Sequence, residues 1–117
     1  MAITLYGIPN CDQVKKARTW LDAHGRPHVF HDVKKAGLTP ALIEGWLQQQ
    51  GWEVLLNRKG TTWRTLPDER KAAIVDAHSA AALMLESPSI IKRPVLAADG
   101  AIHVGFSDDA YQQIFQK

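Results

Sequence analysis

The strongest constraint on this chain lies in its first 33 or so residues, where the hydrophobic period changes twice. Ile3-Thr4-Leu5-Tyr6 alternates as a strand does and runs into Gly7-Ile8-Pro9-Asn10, a loop composition. From Cys11 the spacing becomes helical. Val14, Ala17 and Leu21 form one stripe with Trp20 beside it, while Lys15, Lys16, Arg18 and Asp22 fall largely outside. Gly25 is a stop signal and Pro27 marks the end of the helix. Val29-Phe30-His31-Asp32-Val33 reads as a second strand. A strand, a helix and a strand in about 33 residues make a βαβ unit, so the two strands are predicted to be parallel.

The middle of the chain reads as helical. Thr39-Pro40 is a cap followed by a first-turn proline, and Ile43, Trp46 and Leu47 form an apolar stripe ending at Gly51. Residues 52–56 read as a short helical turn and Asn57 to Arg64 as a polar loop. Pro67-Asp68 is expected to open a helix through about Ala77, and Ser79 to open another that must stop before Pro88. After Pro94 the strand period returns, with Val95–Ala97 and Ile102–Val104 flanking the hairpin signal Asp99-Gly100. Ser107 then caps a last helix, with Asp108 and Asp109 in its first turn and Tyr111, Ile114 and Phe115 as its core stripe. The order β-α-β, helical block, β-β-α is the skeleton of an α/β, thioredoxin-like fold. The expected arrangement is one domain with a helical insertion over about residues 38–87.

Bulk properties narrow the function. The 117 residues suit one domain, and a hydrophobic fraction of 45% with mixed charge suits a packed core. The net charge of +2 is too small to indicate nucleic-acid binding. No apolar run approaches the roughly 20 residues of a membrane span, and the amino terminus lacks the pattern of a secretory signal. With one cysteine there is no internal disulfide, so a reducing cytoplasm is the expected location.

That cysteine carries the chemistry. Cys11 follows a strand and a loop, which puts it at the start of the first helix, where unpaired N–H groups and the helix dipole favour a thiolate. Lys15, one turn on, and Lys16 add positive potential, whereas Asp12 opposes it. The residue three after Cys11 is Val14, so an internal dithiol cycle is excluded. Oxidised Cys11 must be resolved by an outside thiol, for which glutathione is the abundant cytoplasmic candidate. Arg93-Pro94 stands directly before a strand. Arg58, in the polar run, carries a guanidinium suited to pairing with carboxylates or oxyanions.

Taken together, Tyr6-Gly7-Ile8-Pro9-Asn10-Cys11-Asp12, Val14-Lys15-Lys16-Ala17, Gly51-Trp52-Glu53, Leu56-Asn57-Arg58, Gly60-Thr61-Thr62-Trp63-Arg64 and Ile91-Lys92-Arg93-Pro94-Val95 resemble the ArsC/Spx family of arsenate-reductase-like proteins, within it the YffB-type group. The resemblance implies a thioredoxin-like fold with an inserted helical subdomain, a nucleophile at Cys11 and a cis peptide before Pro94. In arsenate reductases of this family the cysteine attacks the oxyanion, while three arginines and a basic residue after the cysteine hold its charge. Arg58 and Arg93 match two of those arginines, and Lys15 stands in the basic place. Where the third arginine is expected, after the hairpin, this chain has Gly105-Phe106 preceded by His103. Cys11-Asp12-Gln13 also replaces the family's Cys-Gly-Thr/Ser. Both departures point away from arsenate.

The remaining conspicuous side chains have plain explanations. Trp20 and Trp46 sit at core spacing, while Trp52 and Trp63 flank Arg58 and are expected to brace it. His28 and His31 would point to opposite faces of a strand, so no metal site is expected. The preferred expectation is a monomeric, glutathione-dependent thiol–disulfide reductase with Cys11 as nucleophile. Asn10, Lys15, Arg58, Arg93 and Pro94 would bind substrate. Its partners would be glutathione, glutaredoxin and a small-molecule or protein mixed disulfide, with no bound cofactor, nucleic acid or membrane. Arsenate reduction coupled to glutaredoxin, and a non-enzymatic Spx-like regulator binding RNA polymerase, are the alternatives.

Overall fold

The computed structural model describes residues 2–116. Along the chain run β1 (Ile3–Gly7), α1 (Asp12–Ala23), β2 (Val29–Asp32), α2 (Pro40–Leu47), α3 (Trp52–Leu55), α4 (Thr61–Arg64), α5 (Asp68–Ala72), α6 (Ala77–Glu86), a 3-10 turn (Pro88–Ile90), β3 (Val95–Ala98), β4 (Ala101–Val104) and α7 (Asp108–Ile114). They divide into two compact units. The first holds the chain up to Val33 together with the chain from Arg93 on, and the second is Lys34–Lys92.

The first unit is built on a four-stranded sheet in the order β2-β1-β3-β4. β1 and β2 are parallel, as their helical crossover demands, and pair Leu5 with Phe30 and Gly7 with Asp32. β3 runs antiparallel to both β1 and β4. The β3–β4 turn is Asp99-Gly100, whose φ values of 51° and 83° are those a primed two-residue hairpin turn requires. One sheet face carries Ile3, Leu5, Leu96 and Ala98 into a core completed by Val14, Ala17, Trp20 and Leu21 of α1 and by Tyr111 and Phe115. Burying each large side chain of this set contributes about 1.5–3 kcal/mol of transfer free energy.

A close approach fixes how α1 sits on the sheet. A Cβ at Gly7 would lie 2.6 Å from Cγ2 of the fully buried Val14. Glycine is what lets β1 and α1 meet this closely, and the next four residues must then turn the chain into α1. Trp20 sits edge-on to Tyr111 at 5.5 Å and stacks on Phe115 at 5.6 Å, while Phe106 caps Tyr111 edge-on at 4.7 Å.

The second unit is assembled from shorter pieces. Thr39 Oγ1 accepts from Leu42 N at 3.2 Å, with Pro40 in the first turn, and α2 buries Ile43 and Trp46. α6 packs against α2 and buries Ala80, Leu83 and Met84. Leu56 and Ile91 form an antiparallel bridge, flanked by Asn57 N donating to Ile90 O at 2.8 Å and Lys92 N donating to Leu55 O at 2.7 Å.

Three expectations need correction here. The expected polar loop from Asn57 to Arg64 is a turn over Asn57–Gly60 followed by a helix, α4; its start is favoured because Arg64 N donates to Gly60 O at 3.1 Å. The helix expected from Pro67 to about Ala77 stops at Ala72. The following helix is capped by Asp76, not opened by Ser79. Asp76 Oδ1 accepts from Ser79 N at 2.8 Å, while Ser79 Oγ accepts from Asp76 N at 3.2 Å, a reciprocal capping box. A serine at the third helical position looks like an N-cap when only one of the two bonds is imagined.

Candidate active site

β1 ends at Gly7 and runs parallel to β2, while β3 begins at Val95 opposite Tyr6, and Val95 lies opposite Val104, where β4 ends. One end of the sheet therefore gathers the Gly7–Cys11 loop, Arg93-Pro94 and Gly105-Phe106. Cys11 is the N-cap residue of α1, with φ −96° and ψ 127°. Its thiol is free and half-buried, packed against the core of the first unit. Its backbone is held at both ends, Cys11 N donating to Ile8 O at 3.4 Å and Cys11 O accepting from Lys15 N at 2.9 Å. The side chain makes no capping bond, so the sulfur is not spent on holding the helix.

Asn10 is exposed in the turn before Cys11, and Lys15 is exposed one helical turn after it. The Arg93-Pro94 peptide is cis, and Pro94 is buried with its carbonyl accepting from Gly105 N at 2.8 Å. Arg93 is half-buried. Five of the six expected residues thus lie in the first unit. The sixth, Arg58, belongs to the second unit, exposed in the Asn57–Gly60 turn. Its guanidinium carbon lies 5.8 Å from the Trp52 ring centroid. Trp52 is the tryptophan that braces it, and Trp63 lies on α4.

Gly105 takes φ 85°, a left-handed conformation that an arginine adopts only at a cost of roughly 1–2 kcal/mol. The backbone where the third arginine was expected is thus shaped for glycine, and the next residue, Phe106, is turned onto Tyr111. No three of the His, Cys, Asp and Glu side chains among the described residues are arranged to hold a metal ion.

Three features escaped the sequence. Tyr6 and His31, paired across β1 and β2, place their rings 5.0 Å apart, and burial raises the Tyr6 pKa. His103 faces Leu96 across β3 and β4, and burial lowers its pKa, which favours the neutral ring. The Tyr111 hydroxyl is buried with no hydrogen-bond partner among the described residues, and burial pushes its pKa far up. Strand alternation could have flagged the Tyr6–His31 pair, because parallel register sets them side by side. Nothing in the sequence announces an unpaired hydroxyl.

A sheet in this order, with a cysteine at the N-cap position of the first helix and a cis proline entering the third strand, defines a thioredoxin-like protein. The ArsC family model matches residues 6–114, and the chain belongs to the ArsC family. An uncharacterized protein from Haemophilus influenzae is 42% identical over 113 residues, 97% of this chain and 98% of its own. The solved structure of a YFFB protein superposes with a TM-score of 0.91 at 47% identity, covering 96% of this chain and 97% of its own. An arsenate reductase (ArsC) related protein from Brucella melitensis gives 0.78 at 50% identity, covering 100% and 97%. A global transcriptional regulator, Spx 2 from Lactococcus lactis, is 28% identical over 109 residues, 92% of this chain and 81% of its own. No helix among the described residues is long and apolar enough to cross a membrane.

Proposed function

We propose that this chain is a cytoplasmic, glutathione-dependent thiol–disulfide reductase working through Cys11 alone. The family match and the similarity to an arsenate reductase related protein support a thiol reductase of the ArsC superfamily. The observation that carries the finer reading is a lone free thiol at the cap of α1, at the same sheet end as the cis Arg93-Pro94 peptide and with no second cysteine to resolve it.

The cycle balances with glutathione as the only reductant. The Cys11 thiolate attacks the glutathione sulfur of a mixed disulfide. A Cys11–glutathione bond forms, the original S–S bond breaks, and the substrate leaves as a thiolate that takes up a proton. A second glutathione thiolate then attacks the Cys11 adduct, releasing oxidised glutathione and restoring Cys11. In this reading Asn10, Lys15, Arg58, Arg93 and Pro94 bind the glutathione moiety, the cations pairing with its carboxylates. Mass spectrometry after incubation with oxidised glutathione tests it: a single adduct on Cys11, removed by reduced glutathione, is the expected result, and absence of an adduct refutes the mechanism.

Arsenate reduction coupled to glutaredoxin is the second reading, favoured by Arg58, Arg93 and the resemblance of the Brucella melitensis protein. The glycine conformation at residue 105 stands against it. An arsenate assay supplied with glutathione and glutaredoxin separates the two, since the thiol–disulfide reading expects only the uncatalysed rate.

A further inference from the structure

A groove of about 710 Å³ lies between α1 and the segment leading into α7, lined by Gln13, Lys15, Lys16, Trp20, Ala23 and His24 on one side and by Phe106 and Asp108 on the other. It starts in the first turn after Cys11 and reaches the far end of the helix. The mechanism above uses Lys15 and nothing else in it.

The groove's dimensions and charge select an occupant. From Cys11 to His24 is about 20 Å along the helix, at 1.5 Å per residue. A fully extended tripeptide spans at most about 11 Å, so glutathione attached at Cys11 leaves the distant half of the groove empty. An extended polypeptide of about six residues covers the distance. Among the described residues neither Lys15 nor Lys16 has an ion-pair partner, and Asp108 is the one carboxylate lining the groove. The lining therefore carries two lysines against one carboxylate, a net positive charge, with exposed Asp12 beside it on the first turn but outside the lining. The far end is aromatic and apolar: exposed His24 stacks on Trp20 at 3.8 Å with the planes 13° apart, beside Ala23.

We infer that this groove docks an extended, acidic polypeptide segment, so that the substrate of Cys11 is a protein mixed disulfide rather than a small molecule. The inference rests on the thiol–disulfide reading of Cys11 and names its substrate class. The segment carries an acidic residue beside its modified cysteine, opposite Lys15 and Lys16, and an apolar or aromatic residue about four positions further on, at His24. On attack, glutathione stays on Cys11 and the polypeptide's own cysteine leaves as a thiol, its flanking residues still in the groove.

The test uses six-residue peptides joined through one cysteine to glutathione, in acidic and basic versions, beside the small mixed disulfide of glutathione and mercaptoethanol. The acidic peptide should show a KM about tenfold below that of the basic one. Lys16→Glu should remove that preference, read as the ratio of the two peptides' KM values, in which any change it makes to Cys11 reactivity toward the small disulfide cancels. Equal KM values for the two peptides, or no effect of Lys16→Glu, overturn the inference while leaving the thiol reaction intact. If no disulfide at all is turned over, the underlying reading fails, and a second measurement still judges the groove. Fluorescence anisotropy of a labelled acidic peptide, its cysteine replaced by serine, should show saturable binding to the Cys11→Ser protein. That binding should be weakened by Lys16→Glu and resistant to excess free glutathione. Absent binding, or displacement by glutathione, overturns the assignment.

Discussion

The two compact units differ in what holds them, and the difference bears on how each holds its own candidate site residues. In the first, a four-stranded ladder and two helices meet in a single core in which Leu5, Val14, Leu21, Leu96 and Tyr111 are fully buried. Cys11 is placed there by packing, because Gly7 lets β1 touch Val14 and the chain has four residues in which to reach the helix cap. In the second unit three of the helices have five residues or fewer, and side-chain caps and one β-bridge do much of the positioning. Arg58 is held there by a turn in which Asn57 Oδ1 accepts from Lys59 N at 3.2 Å. The candidate nucleophile is fixed through buried apolar atoms, and a candidate anion-binding arginine through exposed polar ones.

Substitutions can break or sharpen that contrast. The largest effect is expected from Cys11→Ser, which should reduce turnover of a glutathione mixed disulfide to the background rate while the thermal melting curve stays near that of the parent chain. Gly7→Ala comes next. Its new methyl would be forced against buried Val14, and overpacking of this kind costs about 1–3 kcal/mol in a urea titration. Gly60→Ala brings the same methyl to 2.7 Å from Asn57 Nδ2, the far end of a half-exposed side chain that can move. It should cost less than Gly7→Ala but disturb the Arg58 turn, raising KM for the glutathione substrate more than it lowers the melting temperature. Equal destabilisation by the two alanines would erase the distinction between the units.

Acid titration separates the units further. In the second, hydrogen bonds from Ser79 backbone and side chain hold the Asp76 pKa below its ordinary 3.8. The stabilisation is therefore present above that value and is lost as the pH falls through the lowered folded value, and Asp76→Asn should flatten this part of the stability profile. In the first unit burial lowers the His103 pKa below 6.5. The folded state resists the proton, so stability declines as the pH drops from about 7 through the ordinary histidine value and levels off below the folded one. His103→Phe should remove that earlier slope, a smaller change, read by urea midpoints across the same range.

Legibility followed the same division. The βαβ start, the Asp99-Gly100 turn and the Ser107 cap are readable because hydrophobic period, turn chemistry and cap chemistry announce them locally. The helix from Asp12 to Ala23 buries Val14, Ala17, Trp20 and Leu21, the stripe its spacing announces. In the second unit the Asn57–Arg64 stretch reads as one polar loop but contains α4. Its polar residues leave no apolar stripe, and its neighbour in space is the distant Pro88–Ile90 turn. The break between Ala72 and Ala77 is hidden in the sequence because Asp76 and Ser79 cap each other, and either residue type serves as a cap alone.

The sequence by itself determined that a single thiol is available, that it stands at a helix start, and that it has no internal partner. Composition and local period decide those points, and no folding can change the number of cysteines. Only the tertiary structure decided that Cys11, Asn10, Arg93 and Pro94 share one end of the sheet, because strand register joins residues more than eighty positions apart. It also decided that Gly105 has a backbone shaped against arginine and that a groove lined by Lys15, Lys16, Trp20 and His24 lies beside α1. Both depend on where β3, β4 and α7 return to α1, and that is set by long-range packing, not by local period.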